Sequence, residues 1–268
     1  MNEHLNIEEF YRGLDALFAE KQTGEVTGYL EDWLQKAENA GDIPAIIAVS
    51  NELGGICRVT GKIDRAKELY ATVLTLLEES GMADTENYAT ALINTGDVYI
   101  FNREQEKALE CFLAARDMLE SLGFTKDYRM AALCNNISMV YRDNGSLDKA
   151  EAALDTAFDI IRSMPGCRQE LATTYVNLGE VQVRQGRLDD AIGSFRQACS
   201  IFEEENGRDV HYPYAYAGLG QAHHLAGNDD EAEACYEKAL TLIERDFGRT
   251  PLYDEVAAGL AEVKGKRI

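Results

Sequence analysis

The chain has 268 residues and carries 47 Asp and Glu against 26 Lys and Arg, a formal net charge of −21 at pH 7. Such an acidic surface argues against nucleic acid and anionic membrane as partners, because binding to a phosphate backbone depends on Lys and Arg displacing counterions. No apolar run approaches the roughly 20 residues of a membrane span, and the N-terminal residues lack the basic and apolar regions of a signal peptide. We therefore expect a cytoplasmic protein.

Two helices are predicted at the N-terminus. Apolar side chains recur at helical spacing from Leu5 to Glu20 and from Val26 to Ala40, with a turn near Thr23-Gly24. Gly41 is predicted to end the second helix. The next helix begins at Asp42-Ile43-Pro44, which combines a capping acid with an early proline.

The chain then follows one spacing pattern through five consecutive units. A small residue recurs at steps of 42, 42, 41 and 41, as Gly54, Gly96, Ser138, Gly179 and Gly220. Twelve residues after each comes an alanine: Ala66, Ala108, Ala150, Ala191 and Ala232. Four residues further on is a bulky apolar residue: Tyr70, Phe112, Leu154, Phe195 and Tyr236. A small residue follows three positions later: Val73, Ala115, Ala157, Ala198 and Ala239. A period of this length indicates a solenoid.

Each unit is predicted to be two helices joined by a tight turn. The turns lie at Gly61, Asn102-Arg103, Gly145, Gly186 and Gly227, and glycine suits the left-handed conformation that ends a helix. Asp64, Asp148, Asp189 and Asp229 then fall in or near the first turn of the second helices. Carboxylates at that end are favoured by the helix dipole.

The small residues indicate how the two helices pack. A glycine inside a helix costs on the order of 1 kcal/mol relative to alanine. Four glycines at equivalent positions therefore predict a close approach of the paired helix. The bulky residues are expected to fill the space between layers, so that each unit buries its face against the next.

The ends of the chain depart from the pattern. Gly13 lies 41 residues before Gly54, but the alanine position holds Glu25 and the later pattern is expected to fail. Residues 1–43 are therefore predicted to be a divergent capping hairpin, residues 44–249 five repeats, and residues 250–268 a capping helix. The closing helix has one apolar stripe, formed by Leu252, Val256, Leu260 and Val263.

The spacing small-x2-aromatic-x8-Ala-x3-aromatic-x2-Ala resembles the tetratricopeptide repeat over about residues 44 to 268. It is clearest in LGEVQVRQGRLDDAIGSFRQACSIF from Leu178 and LGQAHHLAGNDDEAEACYEKALTLI from Leu219. The repeat length, the Asn135-Asn136 pair and the linker FGRTP are similar to the kinesin light chain type. The resemblance implies an all-α, right-handed superhelical solenoid of antiparallel helix pairs. It concerns repeat type only and implies nothing about kinesin binding.

The resemblance also implies a binding surface. In tetratricopeptide proteins the first helices of successive pairs line a concave groove that takes a peptide or a partner helix. Carried onto this repeat, the groove positions hold Asn51, Gly55, Arg58, Asn94, Asp97, Ile100, Asn135, Asn136, Arg142, Asn177, Glu180, Arg184, Tyr214, Gln221 and His224. The expected activity is that of a non-enzymatic interaction scaffold or adaptor.

Two sets of groove residues each have two interpretations. Asn94, Asn136 and Asn177 share one repeat position, where an amide can hold a peptide backbone, as in peptide-clamping members of the family, or tie helices together. The arginines at positions 58, 142 and 184 can capture carboxylates or phosphate, or pair internally with Asp97, Asp143 and Glu180. The lysines of the carboxylate clamp are missing, so we do not expect chaperone binding.

Catalytic and metal-binding motifs are not apparent. The six cysteines form no C-x-x-C pair, and only Cys167, in the turn SMPGCRQE, is expected to be accessible. His223 takes the position of Tyr99 and Tyr141 and is expected to be a core residue. No nucleophile motif, phosphate loop or metal spacing is present. We expect no enzyme activity, metal or cofactor.

Two other functions remain open from the sequence. One is a bacterial peptide- or ligand-responsive regulator, in which a ligand changes the pitch of the superhelix. The other is self-assembly through the terminal hairpin. We expect a monomer or a weak homodimer that binds a protein or peptide whose identity the sequence does not reveal.

Overall fold

The structure is a computed structural model that describes residues 4–19, 23–205 and 209–265. Within these ranges every regular element is an α-helix, which confirms the predicted all-α fold of helix pairs. The helices are α1 (Ile7–Ala19), α2 (Thr23–Ala40), α3 (Ile43–Val59), α4 (Ile63–Glu79), α5 (Glu86–Phe101), α6 (Gln105–Ser121), α7 (Tyr128–Asp143), α8 (Leu147–Ile161), α9 (Arg168–Arg184), α10 (Leu188–Glu204), α11 (Tyr212–Leu225), α12 (Asp229–Phe247) and α13 (Pro251–Gly265).

The chain forms two compact units, and the first, residues 1–125, holds α1 to α6. Each of these helices packs against the next along the chain, and α3 also contacts α5. The core at the start of this unit includes Phe10, Trp33, Leu53 and Tyr70. First helices therefore lie beside one another, as expected for stacked helix pairs.

The second unit, residues 126–268, holds α7 to α13. Consecutive helices again pack together, and α9 contacts both α7 and α11. One of its cores is built around Phe195, Phe202 and Tyr212. The predicted division at residues 43 and 249 concerns repeats within these units and remains a prediction.

The alanines and bulky residues of the repeat are all buried, as the spacing predicts. The glycines explain why. A Cβ added to Gly54 would lie 2.7 Å from Cζ of Tyr70, and one added to Gly96 would lie 2.4 Å from Cε1 of Phe112. Each ring therefore rests on the first helix of its own pair, in space that only glycine leaves open.

Two rings of the C-terminal unit also reach the helix that follows their own pair, as expected of residues that fill the space between layers. Phe195 lies against Gly179 of its own pair and against Gly218 in α11, where an added Cβ would be 2.4 Å from the ring. Tyr236 lies in the same way between Gly220 and Gly259. One aromatic side chain thus joins three helices. The α7–α8 pair differs, since its small residue is a serine and its bulky residue a leucine.

The N-terminal hairpin keeps more of the repeat than the sequence suggested. The predicted turn near Thr23-Gly24 lies beside the start of α2 at Thr23; Glu20, the predicted end of the first helix, lies outside the described residues. After Glu25 the pattern returns at the bulky position and fails only at the next small position, which holds Asp32. Tyr29 follows Gly13 by 16 residues, and a Cβ on Gly13 would lie 2.8 Å from Cζ of Tyr29. The hairpin therefore keeps the glycine–aromatic contact while lacking the alanine.

The turns and caps follow the predicted chemistry. The four predicted turn glycines, Gly61, Gly145, Gly186 and Gly227, have positive φ, and Arg103 takes that conformation in the unit without glycine, with φ of 58°. Asp42 caps α3 by accepting from the backbone nitrogen of Ala45, and it also accepts from that of Leu5 at 2.7 Å. This carboxylate links the start of α1 to the start of α3.

The last helix buries one side. Val256 and Val263 of α13 are fully enclosed, while Leu252 and Leu260 are partly buried against the same core, which also contains Tyr236. The predicted stripe is therefore the surface by which α13 packs on α12.

Candidate binding face on the first helices

Every predicted groove residue lies in the first helix of a pair: α3 and α5 in the N-terminal unit, and α7, α9 and α11 in the C-terminal unit. Within one helix most of these positions are separated by three, four, six or seven residues, so they lie toward one side of the helix. We refer to this side as the first-helix face. It is described below separately for each unit.

An amide pair joins α7 to α9 in the C-terminal unit. Asn177 donates from Nδ2 to Oδ1 of Asn135 at 2.9 Å, and both side chains are 8% exposed. Asn135 in turn donates to Oγ1 of Thr174 at 3.0 Å and to the carbonyl oxygen of Ala131 at 3.2 Å. The Asn177 amide thus ties α9 to α7 inside the unit, which is the second of the two roles considered for it.

The other two asparagines of that repeat position are less enclosed. Asn136 lies partly buried in α7, next to Asn135. Asn94 lies partly buried in α5. The three asparagines share one repeat position in the sequence, but their burial differs in the structure: Asn177 is buried, whereas Asn94 and Asn136 are partly buried.

A ladder of charged side chains lies further along α7 and α9. Arg142 contacts Glu180 of α9 and also donates from Nε to Oδ1 of Asp143 at 2.9 Å. Arg184 approaches Oδ1 of the same aspartate at 3.4 Å. Two arginines and two carboxylates thus neutralise one another, which supports the internal-pairing interpretation for Arg142 and Arg184.

Arg58 has different surroundings in the N-terminal unit. Its guanidinium lies 5.2 Å from the ring centre of Phe101, an exposed residue at the end of α5. Burial raises the pKa of Asp97 to about 6, although the charge of Arg58 opposes the shift. A partly buried acid, an arginine and an exposed ring therefore lie close together on α3 and α5.

Three buried polar atoms on α3 have no hydrogen-bond partner among the described residues: Oγ of Ser50, Oδ1 of Asn51 and Nε of Arg58. Asn51 and Arg58 are predicted groove residues. Because an unpaired buried donor or acceptor retains its desolvation cost, these three atoms lower the stability of the chain.

The groove residues of α11 are varied. Gln221 and Tyr214 are exposed, whereas His224 is mostly buried, with Nδ1 2.7 Å from Oδ1 of Asp229. Nε2 of His224 lies 3.9 Å from Oε1 of Glu262 in α13. The histidine therefore links three helices.

The cysteine and histidine expectations are only partly met. His223 is buried as expected, and burial, with a contribution from Arg196, lowers its pKa. Cys167, expected to be accessible, is partly buried, and burial followed by the charge of Glu170 raises its pKa. A raised pKa keeps this thiol protonated and therefore weakly nucleophilic.

The described helices and side chains bear on membrane insertion and metal binding. Within the described ranges, no helix combines the length and apolar character needed to cross a membrane. Among the same residues, no cluster of three or more His, Cys, Asp or Glu is arranged to hold a metal ion.

Sequence reasoning missed several residues of the first-helix face. Val59 and Phe101 are exposed and lie five residues after their reference glycines, a groove position that the repeat register already defines. Glu52 lies two residues before Gly54, the position that asparagine holds in later repeats. Thr174 carried no signal in the repeat, because the matching positions hold Val49, Ala91, Leu133 and Ala215.

The helix pairs, the glycine–aromatic contacts and the first-helix face define a repeat protein of the tetratricopeptide class. The family model described as Tetratricopeptide repeat matches residues 45–121, 128–204 and 213–246. The chain therefore belongs to the tetratricopeptide repeat family. No curated protein sequence matches it significantly.

Solved structures share this fold. BtubC (BKLC) from P. vanneervenii superimposes with a TM-score of 0.68 at 21% identity, covering 87% of this chain and 93% of its own. The putative kinesin light chain TPR-like repeats of Podosopora anserina give a TM-score of 0.60 at 15% identity, covering 74% and 95%. MamA protein gives 0.50 at 22% identity, covering 75% and 93%. The expected likeness to kinesin light chain repeats is thus confirmed at the level of fold.

Proposed function

We propose that this protein is a non-enzymatic interaction scaffold or adaptor that binds a peptide or partner segment on its first-helix face. The observation that carries the proposal is the polar composition of this face. All five alanines and all five bulky residues of the repeat lie in the core, yet the groove positions hold amides, acids and arginines. The core therefore leaves these polar positions to another role.

The chemistry of the face suits an extended segment. An asparagine or glutamine side chain can donate to and accept from a peptide backbone at once. Asn94 provides such a group in α5 of the N-terminal unit, and Asn136 and Gln221 do so in α7 and α11 of the C-terminal unit. Asn177 is left out of the proposed set, because its amide donates to Asn135 inside the unit.

The acidity of the chain limits the classes of molecule that it can bind. A net charge of −21 disfavours nucleic acid and anionic membrane, so we propose a protein partner in the cytoplasm. The chain itself would act as a monomer or a weak homodimer.

Affinity capture with the full chain as bait, followed by mass spectrometry, tests this function. The purified partner is then titrated calorimetrically against the chain and against a variant with Asn94, Asn136 and Gln221 changed to alanine. We expect the variant to bind at least about tenfold more weakly, since each lost hydrogen bond costs about 0.5–1.5 kcal/mol.

The matched control carries Glu110→Ala and Asp155→Ala, two exposed acids on the second helices α6 and α8. It should bind normally. Equal loss in both variants would place binding outside the first-helix face. Concentration-dependent mass in light scattering, without any captured partner, would favour self-assembly instead.

A further inference from the structure

The contact between α3 and α5 in the N-terminal unit has the same register as the contact between α7 and α9 in the C-terminal unit. Counted from the reference small residues, Asn51 and Asn94 match Asn135 and Asn177. Arg58 and Asp97 likewise match Arg142 and Glu180. The same repeat positions therefore hold two amides and an arginine–acid pair in both sets of helices.

The hydrogen bonds of the two contacts differ. Between α7 and α9, Oδ1 of Asn135 accepts from Asn177. In α3, Oδ1 of Asn51 is buried without a partner among the described residues, although Asn94 occupies the matching position. The threonine that holds the Asn135 amide is replaced by Ala91. Ala91 has no hydroxyl, so the bond that Thr174 makes with the Asn135 amide has no counterpart at Asn51.

The arginine pair is also altered. Asp97 is one methylene shorter than Glu180, and Nε of Arg58 is buried without a hydrogen-bond partner among the described residues. In the C-terminal unit, Nε of Arg142 donates to Asp143. Val59 occupies the matching position in α3 and cannot accept. The donor on Arg58 therefore lacks the acceptor that Asp143 provides for Arg142.

The α3–α5 surface also exposes apolar side chains where the α7–α9 surface has charged ones. Val59 is 61% exposed and Phe101 is 54% exposed, at the positions held by Asp143 and Arg184 in the C-terminal unit. Contact with the guanidinium of Arg58 orients the Phe101 ring. A partner's apolar side chain packed here would remove both from water.

The charge of this surface selects the partner. Burial, followed by the charge of Asp15 in α1, raises the pKa of Glu52, so two acids lie near each other on this side of α1 and α3. Asp97 adds a third acid, whose charge interacts with that of Arg58. A cationic side chain would relieve this excess of negative charge.

We propose that the surface formed by Asn51, Glu52, Arg58, Val59, Asp97 and Phe101 docks an extended segment in which a large apolar side chain lies close to a lysine or arginine. The apolar side chain packs on Val59 and Phe101, and the cation lies toward Glu52. A backbone N–H donates to Oδ1 of Asn51, and a backbone carbonyl accepts from Nε of Arg58. This inference rests on the proposed function and assigns it to the N-terminal unit.

The test uses arrays of short synthetic peptides with one fixed pair and random remaining positions. The fixed pairs are Lys-x-Leu, Glu-x-Leu and Lys-x-Ser, and the full-length chain is the probe. We expect preferential binding to Lys-x-Leu peptides and weaker binding at high salt. The affinity of the best peptide is then measured by fluorescence anisotropy with Phe101→Ala, Asn51→Ala and Arg184→Ala.

Phe101→Ala should weaken binding by about tenfold or more, as expected when a central aromatic contact is lost. Asn51→Ala should weaken it about two- to tenfold while leaving the melting temperature of the free chain unchanged or higher, because it deletes an unpaired buried atom. Arg184→Ala, at the position equivalent to Phe101, should bind normally.

The outcomes separate the two proposals. If the best peptide loses affinity for Arg184→Ala but keeps its affinity for Phe101→Ala, this inference is overturned and the proposed function still stands. A preference for Glu-x-Leu peptides would overturn it in the same way. Binding of no peptide class, together with no captured protein, would overturn both.

Discussion

The amide nitrogen of Asn177 lies 2.9 Å from Oδ1 of Asn135, and this bond joins the first helices of two neighbouring pairs. Asn177→Ala leaves that oxygen buried without a donor, so we expect the free energy of unfolding to fall by about 1–3 kcal/mol. Urea denaturation followed by circular dichroism measures it. Gln221→Ala, at an exposed position of α11, is the control and should change stability little. Equal effects would show that the amide pair adds no stability.

Two glycines within helices are expected to respond oppositely to alanine. A Cβ at Gly179 would lie 2.7 Å from the Phe195 ring, whereas a Cβ at Gly193 in α10 would meet nothing within 4 Å. Gly179→Ala should destabilise the fold by about 1–3 kcal/mol through overpacking. Gly193→Ala should stabilise it by up to about 1 kcal/mol, since alanine is the better helix former. Thermal unfolding measures both variants, and a change of stability in the same direction in both would contradict the prediction.

The buried alanines are expected to resist enlargement. Ala150 and Ala191 are fully buried. Ala150→Leu or Ala191→Leu should cost about 1–3 kcal/mol, while Lys149→Ala, an exposed change beside the first of them, should cost little. Similar losses in all three variants, measured by chemical denaturation, would contradict the repeat register.

Stability is expected to depend on pH through Asp97. Its pKa is raised to about 6 by burial, against the opposing charge of Arg58, whereas an unfolded aspartate titrates near about 3.9. The folded chain therefore holds this proton more tightly than the unfolded chain. Its contribution to stability is full below about pH 4 and is lost as the pH rises through about 6.

Asp97→Asn should flatten this decline and raise stability at neutral pH. Denaturation midpoints across the acid range provide the measurement. Part of the slope should persist, because burial and Asp15 also raise the pKa of Glu52. Glu110→Gln, which alters an exposed acid of α6, should keep the full slope. An unchanged slope in Asp97→Asn would exclude this residue as the cause.

Much of the fold could be predicted because packing leaves a regular trace in the sequence. Gly54 and Tyr70 recur in later repeats at a fixed separation, since the ring needs the space that glycine leaves open. The same rule, applied at a separation of 16 residues, would have identified Gly13 and Tyr29 as a pair. That pair was missed because the alanine between them is absent.

The binding face was less predictable, because equivalent positions need not make equivalent bonds. Asn94 and Asn177 share a repeat position. Asn177 donates to Asn135, whose own amide is held by Thr174, whereas the residue matching Thr174 beside Asn94 is an alanine. Arg142 contacts Glu180, whereas Nε of the matching Arg58 is buried without a hydrogen-bond partner among the described residues. Such differences of one side-chain group become visible only when three-dimensional contacts are known.

The position of Phe195 between Gly179 and Gly218 has a consequence for how the C-terminal unit opens. Separating α11 from α10 exposes one face of the ring, and separating α9 from α10 exposes the other. When either α9 or α11 separates from α10, it therefore exposes part of the Phe195 side chain, which also packs on the other helix. Amide hydrogen exchange in α9, α10 and α11 should therefore proceed through one shared cooperative opening, with a common free energy for the most protected amides of all three helices.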